Sequence, residues 1–226
     1  MKPTLTPRVK ICCIASVEEA ALAVEAGASA LGLVSQMPSG PGVIGDELIR
    51  EIAAAVPPAI GTFLLTSKQS VDEIVAQQRF CGTNTIQICD HLTQGMHHEL
   101  KQALPGIRIV QVVHVIGPES VEEAVAVAPQ VDAILLDSGN RMGAVKQLGG
   151  TGRTHDWALS RTIRERVDVP LFLAGGLTPE NVAQAIAKVG PFALDVCSGV
   201  RRNGKLDAER LRRFVSAVYG AVRRGG

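Results

Sequence analysis

Three observations predict an α/β chain folded as a (βα)8 TIM barrel, a single domain over 1–226. Eight short β-branched runs recur along the 226 residues: Val9–Ile14, Ala30–Val34, Ile60–Leu65, Thr85–Ile88, Ile107–Val115, Ala133–Asp137, Val169–Ala174 and Phe192–Val196. They read as near-continuous apolar strands, the pattern of strands covered on both faces. Stretches with apolar residues at three- and four-residue spacing lie between them, and alternating strands and helices imply a parallel sheet. Four runs also stop at a reactive residue or a glycine pair: Val9-Lys10-Ile11-Cys12, Ile134-Leu135-Leu136-Asp137, Leu173-Ala174-Gly175-Gly176 and Asp195-Val196-Cys197-Ser198-Gly199. A barrel presents its chemistry in this way, at the C-terminal ends of buried strands. A doubly wound open sheet is the competing arrangement. The count of eight and the lack of a GxGxxG after the first strand disfavour it.

The first helix is expected over Ser16–Ala26, with Ser16 and Glu19 as a capping box and Gly27 as the stop. The loop Gln36–Gly45 after the second strand is rich in glycine and proline. His91, His97 and His98 fall in or beside a solvated helix, and His114 lies within the fifth strand, facing either the barrel or the helices. A second long glycine-rich loop, Ser138–Arg153, follows the sixth strand, and long loops at this end of a barrel are usually functional. Thr178-Pro179-Glu180 reads as an N-cap, a first-turn proline and an acidic residue at the positive helix end. Asp207–Tyr219 closes the chain as a basic amphipathic helix. Arg201, Arg202, Arg210, Arg212 and Arg213 are expected on a solvated face.

Composition narrows the function. Apolar residues make up 46%, and the formal net charge is +1. That balance argues against nucleic acid or a membrane surface as the main partner. Only 3% of residues are aromatic, which disfavours base-stacking platforms. The polar opening Met1–Arg8 lacks a signal-peptide core, and no apolar run is long enough to span a bilayer, so a cytoplasmic location is expected. The five cysteines, Cys12, Cys13, Cys81, Cys89 and Cys197, form no evident disulfide framework and no CxxC pair. No set of His, Asp and Glu at strand ends suggests a metal site.

Cys12 ends the first strand, where a thiol can act as base or nucleophile or can be one more small buried hydrophobe. Cys13 points the other way by strand alternation and is expected in the strand–helix layer. Asp137 follows three aliphatic residues. Burial at such an edge raises a carboxyl pKa and suits a proton donor. Gly150, Thr151 and Gly152 in the glycine loop, Gly175-Gly176, and Ser198-Gly199 supply N–H groups and hydroxyls for an anion, the last two in the loops that usually hold phosphate in such barrels.

These segments, in this order, resemble the phosphoribosylanthranilate isomerase family of tryptophan biosynthesis. The resemblance runs over nearly the whole chain, through Gly27-Ala28 and Gly32, Gly149–Trp157, Ala174–Val182 and Asp195–Val200. It implies an Amadori rearrangement of a phosphoribosylated aromatic amine with no metal or organic cofactor. Asp137 would be the general acid that opens the ribose ring, and Cys12 the general base at the adjacent sugar carbon. Gly150, Thr151, Gly152, Gly175, Gly176, Ser198 and Gly199 would hold the phosphate. Asp195 would order that end, and Lys10 and Gln87 would join the binding residues.

Two departures stand out. Gly42 occupies the place of an arginine that grips the substrate carboxylate in the family, and a glycine offers no such clamp. Cys89 replaces a histidine, while Gln87 is kept. Arg141 and Lys146 in the loop after the sixth strand are the cations available to replace the missing charge. The expected partner is therefore a small phosphorylated sugar-amine, bound by a monomer or homodimer. The alternatives are the same chemistry on another phosphoribosyl-amine, or an inactive barrel that binds a sugar phosphate. Metal-dependent sugar-phosphate epimerases are a weaker fit because their strand-end histidines are missing.

Overall fold

The computed structural model describes residues 6–139, 148, 152 and 154–223. Its elements run β1 (Arg8–Ile11), α1 (Val17–Glu25), β2 (Ala30–Val34), α2 (Asp46–Ala55), β3 (Gly61–Thr66), α3 (Val71–Cys81), β4 (Thr85–Ile88), α4 (His97–Ala103), β5 (Arg108–His114), α5 (Glu119–Val127), β6 (Ala133–Asp137), α6 (Trp157–Arg166), β7 (Leu171–Leu173), α7 (Val182–Val189) and β8 (Ala193–Val196). A short hairpin, β9 (Arg201–Arg202) and β10 (Lys205–Leu206), precedes the last helix, α8 (Ala208–Arg223). The strands pair in parallel in chain order, and β8 pairs with β1 to close the barrel. This is the predicted (βα)8 architecture, and each predicted run overlaps its strand, with β1 starting one residue before its run and β3 ending one residue past its run.

Strand alternation sorts the apolar residues into two layers. One face packs outward under the helices: Val9 and Ile11 on β1, Leu64 on β3, Ile134 and Leu136 on β6, Leu194 on β8, with Ile74, Val182 and Phe214 from the helices. The other face fills the barrel: Ala30, Phe63, Leu65, Val110, Val112, Leu135 and Phe172, with the Phe63 and Phe172 rings 5.7 Å apart. Fully burying an aliphatic or phenyl side chain contributes about 1.5–3 kcal/mol, so two such layers supply a rigid floor for the site. Lys10 and Asp195 are register partners across the closing β1–β8 seam, and Leu136 sits opposite Leu173.

Local signals explain the helix starts. Ser16 caps α1 by accepting from Glu19 N at 3.2 Å. The Glu19 carboxylate, however, reaches Ala15 N at 3.1 Å and then leaves the helix for Leu206 N and Arg201. The expected helix start at Thr178-Pro179-Glu180 is corrected. Those residues form a turn in which Thr178 Oγ1 accepts from Glu180 N, Asn181 Oδ1 accepts from Thr178 N, and α7 begins at Val182. The asparagine side chain satisfies the turn's backbone locally, which competes with helix at this point. The Gln36–Gly45 loop folds back on its own strand, with Val34 bridged to Val43 and Ile44 N donating to Val34 O at 2.9 Å. Among the described residues no helix is long and apolar enough to cross a membrane.

Candidate active site

The C-terminal ends of the strands surround a cleft. Cys12 from β1, Gln87 and Cys89 from β4, Asp137 from β6, Gly175 and Gly176 after β7, and Asp195 and Ser198 from β8 and its loop all line it. The residues expected to act as acid and base thus share one cavity. Gly152 lines it too, and a side chain there would lie 3.6 Å from Ser198 Oγ, so the glycine loop approaches the β8 loop at that point. Gly150, Thr151, Arg141 and Lys146 lie outside the described residues.

Asp137 is buried at the pocket wall, and its Oδ1 accepts from Ser138 N at 2.7 Å and Ser138 Oγ at 3.4 Å. Burial pushes its carboxyl up to about 6, and the Ser138 hydrogen bonds only partly oppose that. At pH 7 about a tenth of this group therefore holds a proton to give, far more than an ordinary carboxyl would. Cys12 Sγ and Lys10 Nζ lie 2.9 and 3.1 Å from the position a side chain at Gly32 would take, so both crowd the same bare stretch of β2.

Lys10, expected among the binding residues, is not on the cavity wall. It is fully buried beneath it, paired to Asp195 at 2.9 Å and 5.1 Å from the Phe63 ring centroid. Burial alone would push its ammonium down, but Asp195 outweighs that and holds it above its ordinary value. Gln87 Nε2 donates weakly to Cys89 Sγ at 3.8 Å, while its Oε1 is buried without a hydrogen-bond partner among the described residues. It is a ready acceptor for a ligand hydroxyl or N–H. Burial pushes the Cys89 thiol up to about 12, so it remains neutral.

The anion end is built by close backbone approach. Gly175 and Gly176 are consecutive left-handed residues, with φ +84° and +60°, which favours glycine at both. Gly199, expected to hold phosphate directly, is not on the wall. A Cβ there would stand 2.0 Å from Leu177 O, so its role is to let the β7 and β8 loops touch. His155 stands behind this end. Its Nε2 is 2.7 Å from Ser160 Oγ, and burial lowers its pKa to about 4, leaving a neutral imidazole.

Two sequence expectations are corrected. Cys13 does not enter the strand–helix layer: it is past the end of β1 with φ +63°, and that left-handed turn reverses the alternation and aims its thiol into the cavity. Arg201 is not solvated. It is buried, pairs with Glu19 at 3.1 and 3.0 Å, and donates to the carbonyls of Cys12 (3.3 Å), Cys13 and Gly204 (3.0 Å). Burial would raise the Glu19 carboxyl, yet its bonds to Arg201 and Leu206 N hold it below its ordinary range. The hairpin at the end of the chain thus anchors the backbone that carries Cys12. His114 is buried, with Nε2 3.3 Å from Cys89 O.

Gly42 also has a structural reason. It has φ +78°, and a Cβ there would lie 2.4 Å from Cys13 Cβ and 2.9 Å from Cys13 Cα. The loop is seated on Cys13, whose Sγ is 3.6 Å from Pro41 O, so no side chain fits at 42. Among the described residues no group of three or more His, Cys, Asp or Glu is arranged to hold a metal ion.

Fold and site together define a (βα)8 barrel whose cleft brings together a strand-end thiol, a strand-end carboxyl and paired backbone loops suited to an anion. The family model described as N-(5'phosphoribosyl)anthranilate (PRA) isomerase matches residues 9–217, and the chain belongs to that family. The N-(5'-phosphoribosyl)anthranilate isomerase of Haloferax volcanii is 38% identical over 216 residues, covering 95% of this chain and 94% of the relative. The crystal structure of phosphoribosyl anthranilate isomerase from Thermotoga maritima superimposes with a TM-score of 0.79 at 33% identity, covering 95% of this chain and 99% of that one. A phosphoribosyl anthranilate isomerase in complex with reduced 1-(o-carboxyphenylamino)-1-deoxyribulose 5-phosphate gives a TM-score of 0.76 at 31% identity, with the same coverage.

Proposed function

We propose that this chain isomerises N-(5'-phosphoribosyl)anthranilate to 1-(o-carboxyphenylamino)-1-deoxyribulose 5-phosphate in tryptophan biosynthesis, with Asp137 as general acid and Cys12 as general base. The observation that carries the reading is that both side chains line one cleft beside the Gly175-Gly176 and Ser198 loops. Asp137, kept partly protonated by burial, gives its proton to the ribose ring oxygen. The ring C–O bond breaks, and the nitrogen lone pair forms the iminium. Cys12 then removes the proton from the adjacent sugar carbon. The resulting enol-amine ketonises to the product, and net proton exchange restores acid and base.

The phosphate sits between Gly152, Gly175, Gly176 and Ser198, with Gly150 and Thr151 in the same role, and it orients the sugar so that acid and base meet opposite sides. Gln87 Oε1 accepts from a sugar hydroxyl or the amine N–H. Lys10 and Asp195 act from below, as a charged floor that fixes the seam under Cys12. The anthranilate ring lies under the loop at Met37, Ser39, Gly40 and Pro41. A cytoplasmic site of action belongs to the same proposal and is supported by the five free cysteines.

The test is loss of the substrate's fluorescence on mixing with the protein. Wild type is expected to turn over. Cys12→Ala and Asp137→Asn are each expected to lower kcat by about a hundredfold or more, the usual scale for a positioned acid or base. Wild-type rates in both folded variants would remove the assignment.

A further inference from the structure

Besides Cys89, the cleft holds two further thiols that the acid–base scheme does not use. Cys13 Sγ and Cys197 Sγ are 2.8 Å apart. They come from opposite ends of the chain, one after β1 and the other after β8, and meet because those strands form the closing seam. Both thiols are free, both line the cleft, and Cys197 is only half-buried. Their separation exceeds a disulfide bond length by only about 0.8 Å. Around them the charge is uneven. The contact with Cys13 holds the Cys197 thiol below its ordinary value against burial, and the Arg201 guanidinium adds to this. Hydrogen bonds to Cys12 and Cys197, together with burial, push Cys13 up. Cys197 is the more acidic thiol of the pair.

We propose that Cys13 and Cys197 are a redox-modification site, which a peroxide closes into a reversible disulfide across the β1–β8 seam. The Cys197 thiolate attacks one peroxide oxygen, the O–O bond breaks, and the leaving hydroxide takes a proton to become water. The Cys197 sulfenic acid that remains is attacked by Cys13, whose thiol proton leaves with the sulfenic oxygen as a second water. Two thiols lose two electrons, and one peroxide becomes two waters. The left-handed backbone at Cys13 makes this possible, because it turns the thiol away from the helices and toward its partner. Cys13 directly follows Cys12, and Ser198 directly follows Cys197, so the bond lies between the thiol side of the cleft and its anion loop.

The test uses the full chain and hydrogen peroxide, and it reads chemistry rather than turnover, so its outcome is independent of the isomerase assignment. After oxidation the remaining thiols are alkylated, and the protein is digested without reductant for mass spectrometry. Fragmentation between Cys12 and Cys13 assigns the bonded sulfur. The expected result is a mass lower by two hydrogens, alkylatable thiols falling from five to three, and a cross-linked Cys13–Cys197 peptide pair. Dithiothreitol should reverse all of it, and Cys197→Ser should abolish the cross-link. If that variant does not fold, Cys13→Gly, which suits a left-handed position, serves as the same control. A bond from Cys12 to either neighbour, or sulfinic acid accumulating with no Cys13–Cys197 peptide, would overturn the proposal.

Discussion

Replacing Asp137 by Asn should stabilise the protein progressively as pH rises, relative to wild type, while it removes activity. The Asp137 carboxyl is buried and titrates near 6 in the fold, against an ordinary 3.8. Below about pH 4 the group is protonated in both folded and unfolded chains and costs nothing. Between about 4 and 6 the unfolded chain releases its proton while the fold retains it, so unfolding becomes easier as pH rises. Above about 6 the fold must carry a desolvated carboxylate. A rise of roughly two units, at about 1.4 kcal/mol each, amounts to about 3 kcal/mol of stability lost between acid and neutral pH. Asn cannot ionise and escapes that loss. The Ser138 N bond that it weakens gives a constant offset at every pH, so the shape of the difference curve carries the test. Urea unfolding of both proteins, followed by far-UV circular dichroism from about pH 4 to about pH 7.5, measures the difference, and other titrating groups cancel. Parallel curves would refute a protonated acid held by burial at this position.

Other outcomes follow from the same geometry. Burial lowers the pKa of the His155 imidazole to about 4, so below about pH 6.5 the unfolded chain gains a proton that the fold does not, and stability should fall from there down to about pH 4; His155→Gln should flatten that acid limb in thermal melts. Arg201→Met leaves Glu19 half-buried without its counter-ion and should cost on the order of 3 kcal/mol in urea unfolding, with part recovered in the Arg201→Met, Glu19→Gln double variant. An unchanged midpoint in the single variant would show that the clamp carries no weight. Gly42→Ala places a Cβ 2.4 Å from that of Cys13 and should lift the loop from the cleft, raising KM more than it lowers kcat. An unchanged KM would mean that the contact does not seat the loop.

The strands were legible because each is an apolar run, buried on both faces, bounded by turn residues. Cys12 and Asp137 were legible for a related reason: each ends such a run, and alternation carries both into the barrel. Cys13 was not, because the direction of its side chain depends on the sign of one φ angle. Arg201 was hidden by distance. Its partner Glu19 reads as part of a local capping box, and nothing near either residue announces a pair 182 positions apart. The loss of an arginine at Gly42 could be read from the residues, but its cause could not, since Cys13 and Gly42 meet only once the loop folds back. Only the family resemblance places Lys10 among the binding residues. Its pairing with Asp195 depends on which strand closes the barrel, a property of topology rather than of local pattern.

That pairing has a consequence for how the chain is made. Lys10 leaves the ribosome well before its counter-ion Asp195. Until then the first strand carries an ammonium that cannot be dehydrated cheaply, so its seat in the interior stays unfavourable. The thiol at the end of that strand is therefore assembled into its pocket last, after the eighth strand arrives, and a half-finished chain cannot hold a working site.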